Sequence, residues 1–177
     1  MGQTIFITGG ARSGKSTFAE KRAREFGTSL GYLATAQMLD GEMEERVRRH
    51  QDRRGAEWST VEEPIHLSQA LARSDGQYQA ILVDCITLWL SNLLFKYGDS
   101  GEECEERIKE DLQRLKSTLR GMVTPVILVS NEVGMGIVPD NALARLFRDI
   151  AGTANQILAG AADEVHVVIS GIPLRLK

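Results

Sequence analysis

The chain has 177 residues, 42% hydrophobic and 25% charged, with 21 Lys and Arg against 24 Asp and Glu for a net charge of −3. This balance excludes a largely disordered chain, and the length suffices for a core without disulfide or metal staples. The slightly acidic total gives no general electrostatic footprint for nucleic acid or an anionic membrane, and the longest apolar run, Ile86–Phe95, is broken by Thr87, Ser91 and Asn92 and is too short to cross a bilayer.

The first predicted strand is Thr4–Thr8. It runs into Gly9-Gly10-Ala11-Arg12-Ser13-Gly14-Lys15-Ser16, which matches G-x-x-x-x-G-K-[ST], and then into the helical pattern Lys15–Phe26. A strand before this motif and a helix after it are the context a phosphate-binding loop requires. Its glycines let the backbone curl so that N–H groups point inward, and the helix N-terminus adds partial positive charge. Nucleotide contacts are expected from Gly9, Gly10, Ala11, Arg12, Ser13, Gly14, Lys15, Ser16 and Thr17. Lys15 is the residue to reach the β- and γ-phosphates, and the Ser16 hydroxyl is the one to ligate Mg²⁺.

A second strand, Ser29–Ala34, precedes the helical pattern Asp40–Gln51, where Met43, Val47 and His50 share one face. A neutral imidazole can act as a covalent nucleophile toward phosphorus when nearby cations neutralise the developing charge, and Arg46, Arg49, Arg53 and Arg54 are close in sequence. A histidine that continues an apolar stripe equally suits a hydrogen-bonded, half-buried side chain, and Glu42–Arg46, Glu44–Arg48 and Glu45–Arg49 read as helix surface pairs. Spacing alone does not separate these roles for His50. His66 and His166 carry weaker signals still. Trp58–Val61 reads as an extra short strand within Gln51–Ala72, the region with the poorest periodicity.

The strand Ala80–Asp84 ends in a carboxylate after Ile81-Leu82-Val83, where a phosphate-binding loop needs an acidic metal partner. Asp84 also suits the N-cap of the following helix, Ile86–Lys96. Helix Glu102–Leu119 and strand Pro125–Ser130 follow. The apolar, glycine-punctuated loop Val133–Pro139 then fits a substrate contact, a subunit contact or a buried connection. Helix Asn141–Gly160, with Arg145 and Asp149 spaced as a surface pair, and strand Glu164–Ile169 complete the pattern. Cys85 and Cys104 match no metal or redox spacing, Cys85 reads as a buried thiol, and no basic segment precedes an apolar signal region. A cytoplasmic protein is expected. Strands alternating with helices predict an α/β, P-loop NTPase-type three-layer fold with a mostly parallel central sheet, in one domain over residues 1–177. No Asn-Lys-x-Asp base reader is present, so a small kinase or nucleotidyltransferase suits the chain better than a GTPase switch.

Several stretches together carry a specific resemblance: TGGARSGKS at Thr8–Ser16, Tyr32–Thr35 with Met43, Arg46 and His50, DCITLWLSNL at Asp84–Leu93, NEVGMGIVP at Asn131–Pro139, and LARLFRDIAGTA at Leu143–Ala154 continuing through Asn155-Gln156. They resemble the bifunctional adenosylcobinamide kinase / adenosylcobinamide-phosphate guanylyltransferase family of cobalamin biosynthesis over almost the whole chain. Arg49 before His50, and Gly55 where proline is expected, depart from its pattern. The resemblance implies phosphorylation of adenosylcobinamide with ATP or GTP, then transfer of GMP from GTP through a guanylylated His50. It further implies nucleotide contacts at Ala34, Thr35, Ala36, Gln51, Asp52, Arg53, Arg54, Glu62 and Asp84, with Mg²⁺ on Ser16 and Asp84. The partners it implies are a corrinoid and nucleotides, within a homo-oligomer, with a trimer as the expected form. A member with guanylyltransferase activity alone, or a nucleotide switch binding a partner through Val133–Pro139, are the alternatives.

Overall fold

The computed structural model describes residues 2–37, 55–98 and 101–177. The predicted helix Asp40–Gln51, and with it His50, Gln51, Asp52, Arg53 and Arg54, lies outside the described residues. In chain order the elements are β1 (Thr4–Gly9), α1 (Lys15–Arg24), β2 (Leu30–Ala34), β3 (Trp58–Glu62), α2 (Leu67–Ser74), β4 (Ala80–Asp84), α3 (Ile86–Tyr97), α4 (Glu102–Gly121), β5 (Val126–Asn131), α5 (Ala142–Ala161), β6 (Glu164–Ile169) and β7 (Ile172–Arg175).

The strands form a seven-stranded sheet in the order β3-β2-β4-β5-β1-β6-β7. All pairs are parallel except β6 with β7. Strands buried on both faces read as continuous apolar runs, and β1, β4 and β5 do so. Their side chains alternate between two cores. Phe6, Ile81, Val83, Val126 and Leu128 join the larger one, built with α2, α3, α4 and α5. Ile5, Ile7, Leu82, Ile127 and Val129 join the other, against Ala19 and Ala23 of α1. This is the expected three-layer arrangement.

Each helix covers the sheet through a face its sequence dictates. Buried Cys104, Ile108, Leu112, Leu115 and Leu119 recur on one side of α4, the spacing of an amphipathic helix. Helix α3 is buried almost all round and carries Trp89, 1% exposed, whose indole N–H donates to Ile65 O at 2.8 Å. Asn141 caps α5 by accepting from Ala144 N at 3.1 Å.

Two elements add to the sequence reading. Helix α2 buries Leu67, Ala70, Leu71 and Ser74, an i, i+3, i+4, i+7 stripe inside the poorly periodic region. Strand β7 is the antiparallel edge, where Pro173 is tolerated because an edge strand has N–H groups outside the ladder. Trp58–Val61 is indeed strand, extended to Glu62.

Candidate functional site: a phosphate-binding loop at the carboxyl edge of the sheet

Parallel strands bring their carboxyl ends to one edge, and β5 separates β1 from β4 there. The loop that follows β1 and the carboxylate that ends β4 therefore flank the end of β5, at the edge where ligands of open α/β sheets bind.

Gly9 leaves β1 in a tight space: a Cβ there would sit 2.5 Å from Val168 O and 2.7 Å from Ser13 Oγ. The loop closes on itself through Ser13 N–H donating to Gly10 O at 3.2 Å. Arg12 adopts φ +57° and Gly14 φ +93°, so the turn into α1 uses left-handed backbone twice. Lys15 is the first residue of α1, only 8% exposed, and its ammonium donates to Gly10 O at 3.1 Å across the loop. Among the described residues the buried Ser13 hydroxyl oxygen has no hydrogen-bond partner. Such orphaned groups are uncommon in a packed interior. Ser16 is half-buried and Thr17 exposed.

Asp84 is held from two directions. Tyr32 lies two residues before Ala34 on β2, and Ala34 pairs with Asp84, so the Tyr32 side chain runs along the same face toward the strand end. Its hydroxyl donates to Asp84 Oδ2 at 3.1 Å. Thr35, fully buried, accepts from Cys85 N–H at 2.8 Å and donates its hydroxyl to Cys85 O at 2.7 Å. Thr35 N–H donates to Asp84 O at 3.2 Å. The Asp84–Cys85 peptide bond between these contacts is cis.

The sequence allowed Asp84 to be the N-cap of α3, but the cap is Cys85. Its Sγ accepts from Leu88 N–H at 3.4 Å, because the strand backbone continues through Asp84 and turns only afterwards. Burial first, and then the neighbouring Asp84 charge, push the Cys85 thiol up to about 11. A thiol so raised stays protonated near neutrality and serves as a cap rather than a nucleophile.

The end of β5 completes the edge. Asn131 pairs with Gly9, and its Nδ2 donates to Thr87 Oγ1 at 2.7 Å. Asn155 of α5 donates to Asn131 O at 3.2 Å, while its Oδ1 accepts from Ser130 at 2.7 Å. These polar residues tie α3, β5 and α5 together behind the loop. Beyond them the apolar loop is on the surface and not a buried connection, with Met135 88% and Ile137 96% exposed. Arg145 does not form the expected surface pair with Asp149; its guanidinium donates to Pro139 O at 2.8 Å and Asp140 O at 2.7 Å, fastening the end of that loop to α5.

The structure thus brings together Gly9 through Thr17, Ala34, Thr35, Ala36, Glu62 and Asp84 on one edge, since Glu62, Ala34 and Asp84 stand in one cross-strand row. His50 and 51–54 are outside the described residues, although the chain leaves β2 for that segment from this same edge. Sequence reasoning missed Tyr32 as a support of Asp84, a contact between residues 52 apart in the chain. It also missed Asn92, whose amide donates to Thr35 O at 2.8 Å and Pro64 O at 3.0 Å.

Comparisons with known proteins agree with this architecture. The chain is similar to the crystal structure of the RadB recombinase, with a TM-score of 0.51 at 16% identity over 93% of this chain and 73% of that one, a likeness of fold. It is 46% identical to the bifunctional adenosylcobalamin biosynthesis protein CobU of Salmonella typhimurium and 43% identical to that of Escherichia coli, each alignment covering 98% of this chain and 99% of the relative. It is 42% identical to the bifunctional adenosylcobalamin biosynthesis protein CobP of Pseudomonas aeruginosa, over 97% of this chain and 95% of the relative. Residues 5–176 match the family described as cobinamide kinase / cobinamide phosphate guanyltransferase. The chain belongs to the cobinamide kinase / cobinamide phosphate guanyltransferase family.

Proposed function

We propose that the chain, acting as one domain, phosphorylates adenosylcobinamide with ATP or GTP and then transfers GMP from GTP to that phosphate. The products of the second reaction are adenosylcobinamide-GDP and pyrophosphate. The observation that carries this reading is the phosphate-binding loop with Lys15 folded over it, flanking the β5 end opposite Asp84, in a chain of this family.

In the kinase step the corrinoid hydroxyl oxygen attacks the γ-phosphorus, the bond to the bridging oxygen breaks, a nucleoside diphosphate leaves and the hydroxyl proton is released. Lys15 and the loop amides stabilise the charge that builds on the phosphate oxygens. In the transferase step a ring nitrogen of His50 attacks the α-phosphorus of GTP and expels pyrophosphate. The phosphate of the corrinoid ester then attacks the phosphoramidate, forms the new P–O–P bond and frees the imidazole. Splitting the exchange into two displacements is what a covalent nucleophile contributes. Ala34, Thr35, Ala36, Gln51, Asp52, Arg53, Arg54, Glu62 and Asp84 are the further nucleotide contacts of this reading.

Ser16 and Asp84 are the residues that would hold Mg²⁺. Both offer hard oxygen donors, which suit an ion that binds through one or two carboxylates plus phosphate oxygens and water. When bound it supplies neutralisation of phosphate charge. Tyr32 holds one Asp84 oxygen and so leaves the other for that task. Tyr32→Phe keeps the ring and removes the hydroxyl. It is expected to raise the Mg²⁺ concentration needed for half-maximal turnover on the order of tenfold with little change in melting temperature. An unchanged Mg²⁺ requirement would show that the contact does not orient the carboxylate.

No helix among the described residues is long and apolar enough to cross a membrane. A homo-oligomer, a trimer by family resemblance, is supported by exposed Met135, Ile137 and Val138 together with Ile169, Ile172, Leu174 and Leu176 near the hairpin, because apolar patches on a surface mark contact sites. Sedimentation equilibrium is expected to give a multiple of the chain mass of 19.5 kDa; a monomer at micromolar concentration would contradict it. The activity itself is tested by incubating the protein with adenosylcobinamide, ATP, GTP and Mg²⁺ and following the corrinoid products. Both the phosphate ester and the GDP ester are expected. Failure to form the phosphate ester from adenosylcobinamide, with GMP transfer to supplied phosphate ester intact, would reduce the chain to a guanylyltransferase.

A further inference from the structure

The phosphate-binding loop is packed against a hairpin that the chemistry above does not use. Strand β6 pairs with β1 as far as Thr8 opposite Val167 and reverses into β7 through Ser170, φ +51°, and Gly171, φ +81°. Ile169 and Ile172 pair on either side. Two consecutive positive φ angles between paired residues are those of a two-residue type I′ turn, the form that matches strand twist. The tip of this turn rests on the loop. Gly171 N–H donates to Ser13 O at 2.8 Å, and Gly171 Cα lies 3.1 Å from where a Cβ on Gly14 would sit.

The contact fixes more than a distance. The Ser13–Gly14 peptide is trans, and in a planar trans peptide the carbonyl and the N–H point in opposite directions. A Ser13 carbonyl held by the hairpin therefore sends the Gly14 N–H away from the hairpin. Gly14 is the N-cap of α1, directly before Lys15 and Ser16, where backbone N–H groups form the anion-binding end of the helix.

We propose that the Ser170–Gly171 turn is a positioning element of the phosphate site: it locks the Ser13–Gly14 peptide so that the Gly14 N–H is aimed at a phosphate of the bound nucleotide. This rests on the nucleotide reading above. The residues act through the loop and touch no reacting atom.

Another bond of the same hairpin provides the control. Leu176 N–H donates to Val165 O, also at 2.8 Å, at the end away from the turn. Semisynthesis of the full chain with an ester in place of the amide at Gly171, or at Leu176, removes one hydrogen bond in each case and leaves the side chains alone. Affinity is measured for GTP and for inorganic tripolyphosphate, with melting temperature alongside. The ester at Gly171 is expected to weaken both ligands about fivefold or more, whereas the ester at Leu176 lowers melting temperature comparably and leaves affinity within about twofold. Gly171→Asn, which tolerates positive φ and keeps the N–H, is expected to hold affinity, and Gly171→Val to lose it. Unchanged affinity in the Gly171 ester, or equal losses in both esters, would overturn the inference and leave the nucleotide site standing. If an ester does not fold, equal affinity in the Asn and Val variants overturns it instead. Failure of the unsubstituted chain to bind GTP would remove the nucleotide reading and this inference with it.

Discussion

Replacing His50 by alanine is expected to abolish GMP transfer while phosphorylation of the corrinoid continues. In the proposed mechanism the two reactions use different phosphorus atoms: the kinase step moves the γ-phosphoryl group directly to a hydroxyl, and only the transferase step passes through the imidazole. Removing a covalent nucleophile costs on the order of 10⁴-fold or more in turnover, so the transferase signal should fall to background. The split matters more than the loss. A variant that lost both activities equally would point to a structural or binding role for His50, and one that kept both would exclude it as the nucleophile. Conversion of adenosylcobinamide to its phosphate ester and to its GDP ester, followed separately for the same preparation, gives the answer.

Lys15→Ala carries the second large effect, and it should strike both reactions. The ammonium lies across the loop, 3.1 Å from Gly10 O, close to where the loop amides would receive phosphate oxygens. Charge accumulates on those oxygens whether the leaving group is a nucleoside diphosphate or pyrophosphate, and one preorganised stabiliser is worth on the order of 10²–10³-fold in turnover. Lys15→Arg is not expected to rescue, because a planar guanidinium does not replace a compact ammonium on a short reach inside a closed loop. Turnover numbers for each half-reaction, with melting temperature as the control for folding, test this. Full kinase activity in Lys15→Ala would contradict the assignment of the loop as the nucleotide site.

The parts of this protein that were legible in its sequence are those fixed by local chemistry. The apolar strands β1, β4 and β5 read directly because both of their faces are buried, and the loop from Gly9 to Ser16 read because its glycines and lysine answer to one task. The position of Asp84 at the carboxyl edge followed from its place at the end of an apolar strand. Its capping role was misjudged because the backbone turns one residue later, at Cys85. Helix α2 is eight residues long and follows Pro64 and His66, so its short stripe did not stand out from the irregular segment before it. Strand β7 was hidden by Pro173, although Ser170-Gly171 is a turn signal that could have announced a hairpin. The supports of the site were not legible at all. Tyr32 to Asp84, Asn92 to Thr35 and Gly171 to Ser13 join residues far apart in the chain, and only the strand order brings them together.

That strand order is compatible with the proposed use of one edge for two reactions. β5 keeps the loop and Asp84 apart by one strand width, and the chain between β2 and β3 departs from the same edge. A nucleotide anchored by its outer phosphates in the loop would extend its α-phosphate beyond the loop, and the proposed mechanism requires His50 to meet it. The proposed transfer of GMP depends on that meeting. The most direct measurement is to incubate the protein with α-labelled GTP and Mg²⁺ without corrinoid, digest it under mildly basic conditions that preserve a phosphoramidate, and locate the label by mass spectrometry. One GMP on the imidazole of His50, released when the corrinoid phosphate is added, is the predicted result; GMP on any other side chain, or transfer to the corrinoid phosphate with no labelled protein at any stage, would contradict it.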